Sequence, residues 1–455
     1  MSHRDTRNGS IAISRPRVPA WLNPFELLRR YWRGGVQLRD YKALSNKTPI
    51  QQLNHTGLML QIPLGDGRRQ AEPCVTVGQY VKRGEVIGRS EQCPWVHAST
   101  SGHVVAIEPA PLADRDGSSL AVILAADGHN LAADKSPAPP PTSLTELASH
   151  CQQMGLTGLG GAGFPTSMKL AGAGDADTLL INGAECEPFI TCDDRLMRER
   201  AEQVVRTASW LATLMGATTV RIGVESNKPE AIRALRLEIH LQKAPIEVRS
   251  LPHRYPAGGE PLLIKSLCGR TLAPGTLPPQ IGVLVMNVAT LYALGQAVFE
   301  HEPLTSRVVT LTGHVEHPGN VEAPLGTPVW ALLALAQPKA GELGVQAGGP
   351  MMGRALEHTD AVMTKTSGCL IVRSRRILPP PPSASDCIRC SRCIDVCPMA
   401  LRPLNLYDAH QREDNQQLQH ERLRACIECG ACNVVCPSHI PLRDSFRAAK
   451  QRQME

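Results

Sequence analysis

Eight of the chain's 15 cysteines fall between Cys387 and Cys436. They form one pattern twice: Cys387-x2-Cys390-x2-Cys393-x3-Cys397-Pro398 and Cys426-x2-Cys429-x2-Cys432-x3-Cys436-Pro437. Three cysteines two apart in a tight loop put three thiolates at three corners of an iron–sulfur cube. The fourth, after a longer gap and before a proline, ligates the other cube in two-cluster ferredoxins. The spacing therefore assigns Cys387, Cys390, Cys393 and Cys436 to one [4Fe–4S] cluster, and Cys426, Cys429, Cys432 and Cys397 to the second. Structural zinc and a reactive thiol array compete with this reading, but zinc has no need of the third cysteine or the reciprocal fourth. Such clusters pass single electrons, so the upstream domains should supply or accept them.

The second candidate is the loop Gly158-Leu159-Gly160-Gly161-Ala162-Gly163-Phe164-Pro165-Thr166, which formally contains GxGxxG. The dinucleotide fingerprint needs a strand before it. Here Leu144–Met154 reads as a helix, so the ordinary Rossmann reading fails. Many glycines still allow close backbone approach to a phosphate or flat ring, and Lys169 follows for an anion. A plain turn is the alternative.

The elements that must position these residues fall into blocks. Residues 1–32 are an N-terminal extension in which Trp21–Trp32 mixes apolar and Arg residues at helical spacing, a candidate docking helix or a helix packed on the chain's own body. Residues 33–134 are β-rich and resemble a barrel-sandwich hybrid of the biotinyl/lipoyl type. Cys93–Ser101 carries no Lys for a swinging arm, so a structural or docking role is expected. A Pro-rich linker (135–142) precedes an α/β region, 143–300. There Asp177–Ile181, Thr219–Val224 and Ile281–Met286 each run into a loop or helix, which predicts a doubly wound Rossmann-like sheet with ligands at the carboxyl ends of its strands. Residues 305–375 predict a β-grasp (SLBB-like) module with strands Arg307–Gly313 and Val315–Val321, and a helix Thr327–Ala336 capped by Thr327. A second linker (Leu378–Ser385) leads to an α-helical two-cluster ferredoxin at 383–445, with a helical stretch at Asp408–Arg424.

Wider context changes the standing of the glycine loop. GLGGAGFPTSMK (158–169), INGAECEP (181–188), YPAGGEP (255–261) and VMNVAT (285–290) closely resemble, in the same order, segments of the flavin subunit of respiratory complex I. The resemblance implies FMN held by Gly158, Gly160, Gly161, Gly163 and Lys169, with Asn182, Glu185, Tyr255, Gly258, Gly259, Glu260, Asn287 and Thr290 completing the pocket. Phe164 would face NAD(H). Glu187 would border it as a catalytic proton or nucleotide-positioning group, with a plain capping carboxylate as the alternative. Ala184, Gly259 and Met286 replace two acids and an asparagine of that family's pattern. The complete domain order, with RGGVQLRDYKALSN (33–46) and GGPMMG (348–353), resembles the C subunits of the Rnf (Rsx) ion-translocating oxidoreductases. That resemblance implies a peripheral subunit on the cytoplasmic side of the bacterial inner membrane. It would exchange electrons between NADH, FMN, two [4Fe–4S] clusters and membrane and iron–sulfur partner subunits, and indirectly ferredoxin.

Composition narrows the classes. Sixteen aromatic residues among 455 and a net charge of +6 argue against a stacking nucleic-acid reader. Residues 1–20 lack the apolar core of a secretory signal, which places the cysteines in a reducing compartment. Ile281–Phe299 is interrupted by Asn287, Thr290 and Gln296 and predicts a strand plus helix, with membrane contact through partners only. Cysteines 74, 93, 151, 186, 192, 268 and 369 lack ligand spacing and are expected as small buried hydrophobes. His97, His103, His314 and His317 are read as surface or strand histidines. Two further readings stay open: an NADH-dependent corrinoid reductase, and a non-flavin iron–sulfur conduit that only docks partners.

Overall fold

The computed structural model of the chain describes residues 32–67, 69–135, 138–380 and 382–453. The Trp21–Trp32 helix and the rest of the 1–32 extension lie outside them, except for Trp32. Among the described residues, no helix is long and apolar enough to cross a membrane.

The first domain packs two antiparallel sheets. One runs Met59–Pro63, Ser118–Ala126, Gly102–Pro111, Tyr80–Val81; the other Glu72–Pro73, Val86–Arg89, Val96–His97. Leu60, Ile62, Leu64, Ile87, Val122 and Leu124 fill the space between them. The hairpin that would carry a swinging arm is buried at Ala98, Ser99, Thr100 and Ser101, and Ser99 donates to the Leu325 carbonyl of the β-grasp domain at 2.7 Å. This tip docks.

In the second domain four parallel strands, Thr178–Gly183, Thr219–Glu225, Glu247–Leu251 and Val283–Asn287, lie in the order third, second, first, fourth. Their apolar runs are covered on both faces, as a parallel sheet requires. Leu179, Ile181, Ile222 and Met286 pack against helices Leu144–Gln153, Ala201–Met215 and Val288–Phe299. Leu180, Val283 and Val285 meet Leu263, Ile264 and Leu267 of helix Glu260–Cys268 on the other side. Strand order reverses between the first and fourth strands, the position where ligands bind in such sheets. The last strand starts two residues later than its pattern predicts, because Pro278–Ile281 forms a 3-10 turn closed by Gly282 at φ +72°. The helix after it starts earlier, at Val288, because the Asn287 side chain caps it.

The β-grasp sheet has six strands in the order Gln51–Gln52, Gly319–Pro324, Ser306–Gly313, Cys369–Val372, Val345–Ala347, Arg354–Ala355. Its second predicted strand is displaced to Gly319–Pro324, and Val315 forms only an isolated bridge to Pro338. Thr327 is not the helix cap: its hydroxyl turns back to the Pro324 carbonyl, and the helix spans Val329–Ala336 behind Pro328. At the C-terminal end the expected helix at 408–424 is broken. Helix Pro403–Gln411 stops, Glu413 takes φ +55°, and Asp414 caps a new helix Asn415–His420.

Gly295 lies where helix Val288–Phe299 crosses helix Ala201–Met215, and a Cβ there would come within 2.2 Å of Thr207 Oγ1. Gly295→Ala should lower stability by about 1–3 kcal/mol through overpacking. Thr207→Ala in the same chain should recover most of that loss; a double variant no better than the single one would refute this crossing, with denaturant midpoints as the measure.

Candidate functional site

The glycine loop is built as a small hairpin. Thr157 bridges Pro165, Gly158 N–H donates to the Phe164 carbonyl at 2.8 Å, and Thr157 Oγ1 donates to the Gly163 carbonyl at 2.7 Å. Gly161 (φ +98°) and Gly163 (φ +65°) take left-handed backbone that favours glycine. The loop docks on the switch point: Leu159 N–H donates to Thr290 Oγ1 at 2.8 Å, and a Cβ on Gly160 would sit 3.3 Å from Asn287. Asn182 and Asn287 are register partners at the ends of the first and fourth strands. Asn287 caps its helix through Oδ1 and donates from Nδ2 to Asp193 at 2.7 Å. Asn182 donates to the Gly258 carbonyl at 2.9 Å, and Gly258 passes so close to Ala184 that a Cβ would lie 2.6 Å from its carbonyl oxygen. Lys169 pairs with Glu260 at 3.2 Å and donates to the Val285 carbonyl. Phe164 is exposed at the loop end.

Beneath the strand ends lies a buried charge network that sequence reasoning missed. Lys42 donates to the carbonyls of Glu187 and Ile190 and lies 3.7 Å from Glu185. Lys228 donates to Glu225 and to the Glu185 carbonyl. Burial works against the Lys228 charge, but Glu225 and Glu185 outweigh it and hold the ammonium above its ordinary value. Burial pushes the Glu185 carboxyl up, against the pull of Lys42 and Lys228. Glu185 Oε1 accepts from Asp193 N–H at 2.7 Å and from the Cys192 thiol, whereas Oε2 has no hydrogen-bond partner. The one available signal was that Lys228 follows the carboxyl end of a strand. Lys42 offered none.

Glu187 is half-buried and Tyr255 is buried. Glu187 Oε2 accepts from Met351 N–H at 3.0 Å in the Gly348–Gly353 loop, and Oε1 has no partner. Tyr255 is buried and its hydroxyl donates to the Cys429 carbonyl at 2.7 Å.

The two cysteine loops repeat in backbone as in sequence. Arg389 and Glu428 both take φ +54°, Ser391 and Gly430 take +62° and +72°, and Ala400 and His439 both take +52°. Short helices Arg392–Asp395 and Ala431–Val434 follow at equivalent positions. The N–H groups of Arg389 and Glu428 donate to Cys387 and Cys426 sulfur at 3.4 Å each. Cys397, Cys426, Cys429 and Cys432 line one cavity of about 400 Å³. Burial, and then their mutual proximity, raises the thiols of Cys426, Cys429 and Cys432. At the other site, Ser438 Oγ donates to the Asp386 carbonyl at 2.8 Å and Ser385 N–H to the Ser438 carbonyl, which draws Cys387 toward Cys436. Cys387 and Cys390 are exposed. Of the remaining cysteines, Cys93, Cys151, Cys192 and Cys369 are buried. Cys74 is exposed, while Cys186, in a loop, and Cys268, at the end of helix Glu260–Cys268, are half-buried.

Four family models match in chain order. Residues 31–129 match the RnfC barrel sandwich hybrid domain, 151–296 the Nuo51 FMN-binding domain, 308–355 the SLBB domain and 383–440 the 4Fe-4S dicluster domain. The C subunit of the ion-translocating oxidoreductase complex of Pectobacterium carotovorum subsp. carotovorum is 42% identical over 433 residues, covering 92% of this chain and 57% of its own length. The chain belongs to the family of these C subunits. The Pectobacterium atrosepticum protein is 41% identical over 431 residues, covering 92% of the chain and 61% of its own length. The Cronobacter sakazakii protein is 42% identical over 429 residues, covering 92% and 55%. The chain thus spans a little over half the length of these curated relatives. Structures of an NAD+-reducing [NiFe]-hydrogenase in H2-reduced and air-oxidised states align at TM-scores of 0.48 and 0.49. They are 18% and 19% identical and cover 70% and 71% of this chain and 63% and 65% of theirs, a likeness too weak to bear on function.

The residues present fit the groups these matches imply. FMN needs bare backbone, anion partners and open space at the strand ends. A Cβ on Gly161 would meet nothing within 4 Å, Lys169 stands below the loop, and Glu185 Oε2 has no hydrogen-bond partner, only the Lys42 ammonium at 3.7 Å. Two cubes need two quartets of sulfur, and the loops supply them.

Two predictions follow from this geometry. With crossed quartets, Cys387→Ser with Cys436→Ser should remove one cluster and leave about four irons, whereas Cys387→Ser with Cys397→Ser should damage both; the reverse pattern of iron content would show that each motif closes its own cube. Burial also pushes the Glu187 carboxyl up to about 7 from 4.5, partly offset by the N–H groups of Met351 and Met352. Such a group binds its proton more tightly when folded, so its contribution is full below about pH 4.5 and is lost as pH rises through about 7. Relative to Glu187→Gln, the unsubstituted chain should lose denaturant midpoint between about pH 5 and pH 8. Parallel slopes would exclude Glu187 as the source.

Proposed function

We propose that this chain passes electrons between NADH, FMN and two [4Fe–4S] clusters, as a peripheral subunit of an ion-translocating oxidoreductase complex. The observation that carries the reading is the continuity of its parts. The glycine loop sits on Asn287 and Thr290 at the sheet's switch point, and the Tyr255–Gly259 loop beside it is also the seat of the Cys426–Cys432 loop. Ile427 lies against Gly259, and Trp32, Ala257 and Leu262 pack with Ile427 and Met399.

Bound FMN exchanges a hydride with the nicotinamide and single electrons with iron–sulfur clusters. The chain's own residues bind and orient. Bare backbone at Gly158, Gly160, Gly161 and Gly163 permits close approach of the flavin nucleotide, and Lys169, steadied by Glu260, supplies a positive charge for its phosphate. Asn182, fixed by two partners, and Asn287, fixed by three, present amide edges at the strand ends. Glu185 and Thr290 close the floor, and the exposed Phe164 ring offers an apolar face to the nicotinamide nucleotide. Glu187, turned to Met351, acts by holding the loops together. No side chain serves as a nucleophile.

The sulfur quartet of Cys397, Cys426, Cys429 and Cys432 lies against the flavin domain and would hold the cluster nearer to it, which would supply single-electron exchange there. Cys387 and Cys390 bring the second quartet, completed by Cys393 and Cys436, to the surface, where an iron–sulfur partner subunit takes or gives electrons and links the chain indirectly to ferredoxin. The route runs in either direction. Membrane contact comes through partner subunits at the cytoplasmic face of the inner membrane.

Anaerobic purification with assay of acid-released flavin and iron tests this. About one FMN and about eight irons per chain are expected, with NADH bleaching flavin bands first and cluster bands second. Eight irons that never respond to NADH, even after added FMN, would sink the proposal and favour a docking-only conduit.

A further inference from the structure

Away from the strand ends, a cleft opens where the barrel-sandwich domain, the glycine loop and the β-grasp domain meet. Ile62, Leu64, Val96, Leu304 and Leu325 give it aliphatic walls. Thr157 and Pro165, the pair that closes the base of the glycine loop, line it together with Gly163, so the loop is a wall of this cavity on one side and rests on Asn287 with the other. None of the residues assigned to FMN except Gly163 reaches it.

Eight polar or charged side chains line the cavity, three of them threonines. Lys365 Nζ donates to the Trp95 carbonyl at 3.0 Å and the Gly155 carbonyl at 2.8 Å, and an ammonium has a third donor to give. His97 is 5% exposed, and its Nδ1 has no hydrogen-bond partner. Burial and the neighbouring Lys365 suppress the imidazolium, so the ring is neutral and one nitrogen is an acceptor. Both nitrogens, His97 Nδ1 and Lys365 Nζ, lie within 3.3 Å of the point that a Cβ on Gly155 would occupy. At the other end Arg115 is fixed by Asp114 and Asp66, and its Nη2 lies 3.9 Å from the Cβ position of Gly163. Arg69, at the mouth, holds its main-chain N–H on Asp66 Oδ1 at 2.8 Å and its guanidinium on the Met168 sulfur at 3.7 Å. Arg69, Arg115 and Lys365 outnumber Asp66 on the lining, which favours an anion.

We propose that this cavity binds the adenosine 5′-phosphate moiety of a nucleotide, the base inside against His97 and Lys365 and the phosphate at the mouth on Arg69 and Arg115. Adenine presents a donor amino group beside the acceptor N7, the complement of an acceptor imidazole beside a donor ammonium. A guanidinium pair suits a phosphate monoester. Two sources carry this moiety: the AMP half of a nicotinamide dinucleotide whose other half crosses the glycine loop to the flavin, or a free adenine nucleotide. The first source rests on the function proposed above.

The test uses the chain with its clusters and FMN loaded, under anaerobic conditions, with AMP as the probe in calorimetry. One AMP per chain should bind, and it should slow iodoacetamide labelling of Cys93, a cavity residue, as read by peptide mass. Arg69→Ser, a surface change, and Lys365→Met should each weaken AMP about tenfold or more. No AMP binding at millimolar concentration, unchanged affinity in Arg69→Ser, or unprotected Cys93 would each overturn the site. AMP that competes with NADH but not with reduced nicotinamide mononucleotide identifies the dinucleotide as the source; AMP that binds without competing identifies a free nucleotide. NADH bleaching of flavin without AMP binding defeats this inference and leaves the redox reading standing, and AMP binding without bleaching does the reverse.

Discussion

The hydrogen bond from the Tyr255 hydroxyl to the Cys429 carbonyl joins the flavin domain to a cluster loop, and the rest of the arrangement depends on that junction staying put. Electron transfer needs a short, fixed gap, yet interfaces between domains of one chain are ordinarily mobile. Here the interface is fastened from several directions. Val36 bridges Tyr255, Gly35 N–H donates to the Val396 carbonyl at 2.7 Å, Arg443 reaches the Met351 carbonyl, and Met351 N–H donates to Glu187. Val36, Tyr255, Met351 and Ala431, buried together, come from four different segments. Each alone is worth about 1 kcal/mol, the usual net value of a hydrogen bond or a small buried contact. Their effect lies in convergence on one loop, so that no single domain can rotate without breaking contacts made by the others.

The buried charges under the strand ends express a second constraint. Lys42, Glu185, Glu225 and Lys228 are each nearly or fully excluded from solvent, and burying charges costs more than pairing returns unless every lone pair and proton finds a partner. Lys42 meets part of this by donating to two main-chain carbonyls, and Lys228 by donating to one carbonyl and one carboxylate, while one oxygen each of Glu185 and Glu225 has no hydrogen-bond partner. A network of this kind is poor at adding stability and good at fixing register. It holds the segment from Glu185 to Thr191 against both the sheet and the N-terminal segment, the place where a cofactor-binding loop needs one conformation.

How much of this was legible in the sequence follows from the range of each determinant. The cysteine quartets could be read because ligand spacing is local and its chemistry narrow. The strands that end beside Asn182 and Asn287 could be read because apolar runs leave local marks, whereas the two asparagines themselves came from the family resemblance, and the strand before Asn287 begins later than its apolar run, at a turn that only the Gly282 backbone reveals. The helix expected at 408–424 failed for the opposite reason: polar residues with good helix propensity did not disclose that Asp414 would serve better as a cap. Lys42 was illegible because nothing in its neighbours says that a carboxylate more than a hundred residues away will meet it, and Lys228, beside Glu225 at a strand end, left only a faint local mark. His97 and Lys365 belong to different domains, and their proximity exists only once both domains close on Gly155.

The segment from Trp32 to Gln52 shows how those distant determinants are brought together. Trp32 packs with Ala257, Leu262 and Ile427, and Gly34 passes so near Cys397 that a Cβ would lie 2.6 Å from its carbonyl oxygen. Tyr41 stacks on Phe189 with ring centroids 4.5 Å apart, Lys42 enters the charge network, and Gln51–Gln52 adds an edge strand to the β-grasp sheet. Within about twenty residues the strap touches the cluster module, the flavin domain and the β-grasp domain in turn. Lys42 also makes its strand-end partners depend on this strap: without it, Glu185 would keep its burial and lose a compensating cation, and the floor beneath the glycine loop would have to protonate or open. An element that contributes no assigned cofactor ligand therefore sets the charge state of the pocket and the spacing between pocket and cluster together.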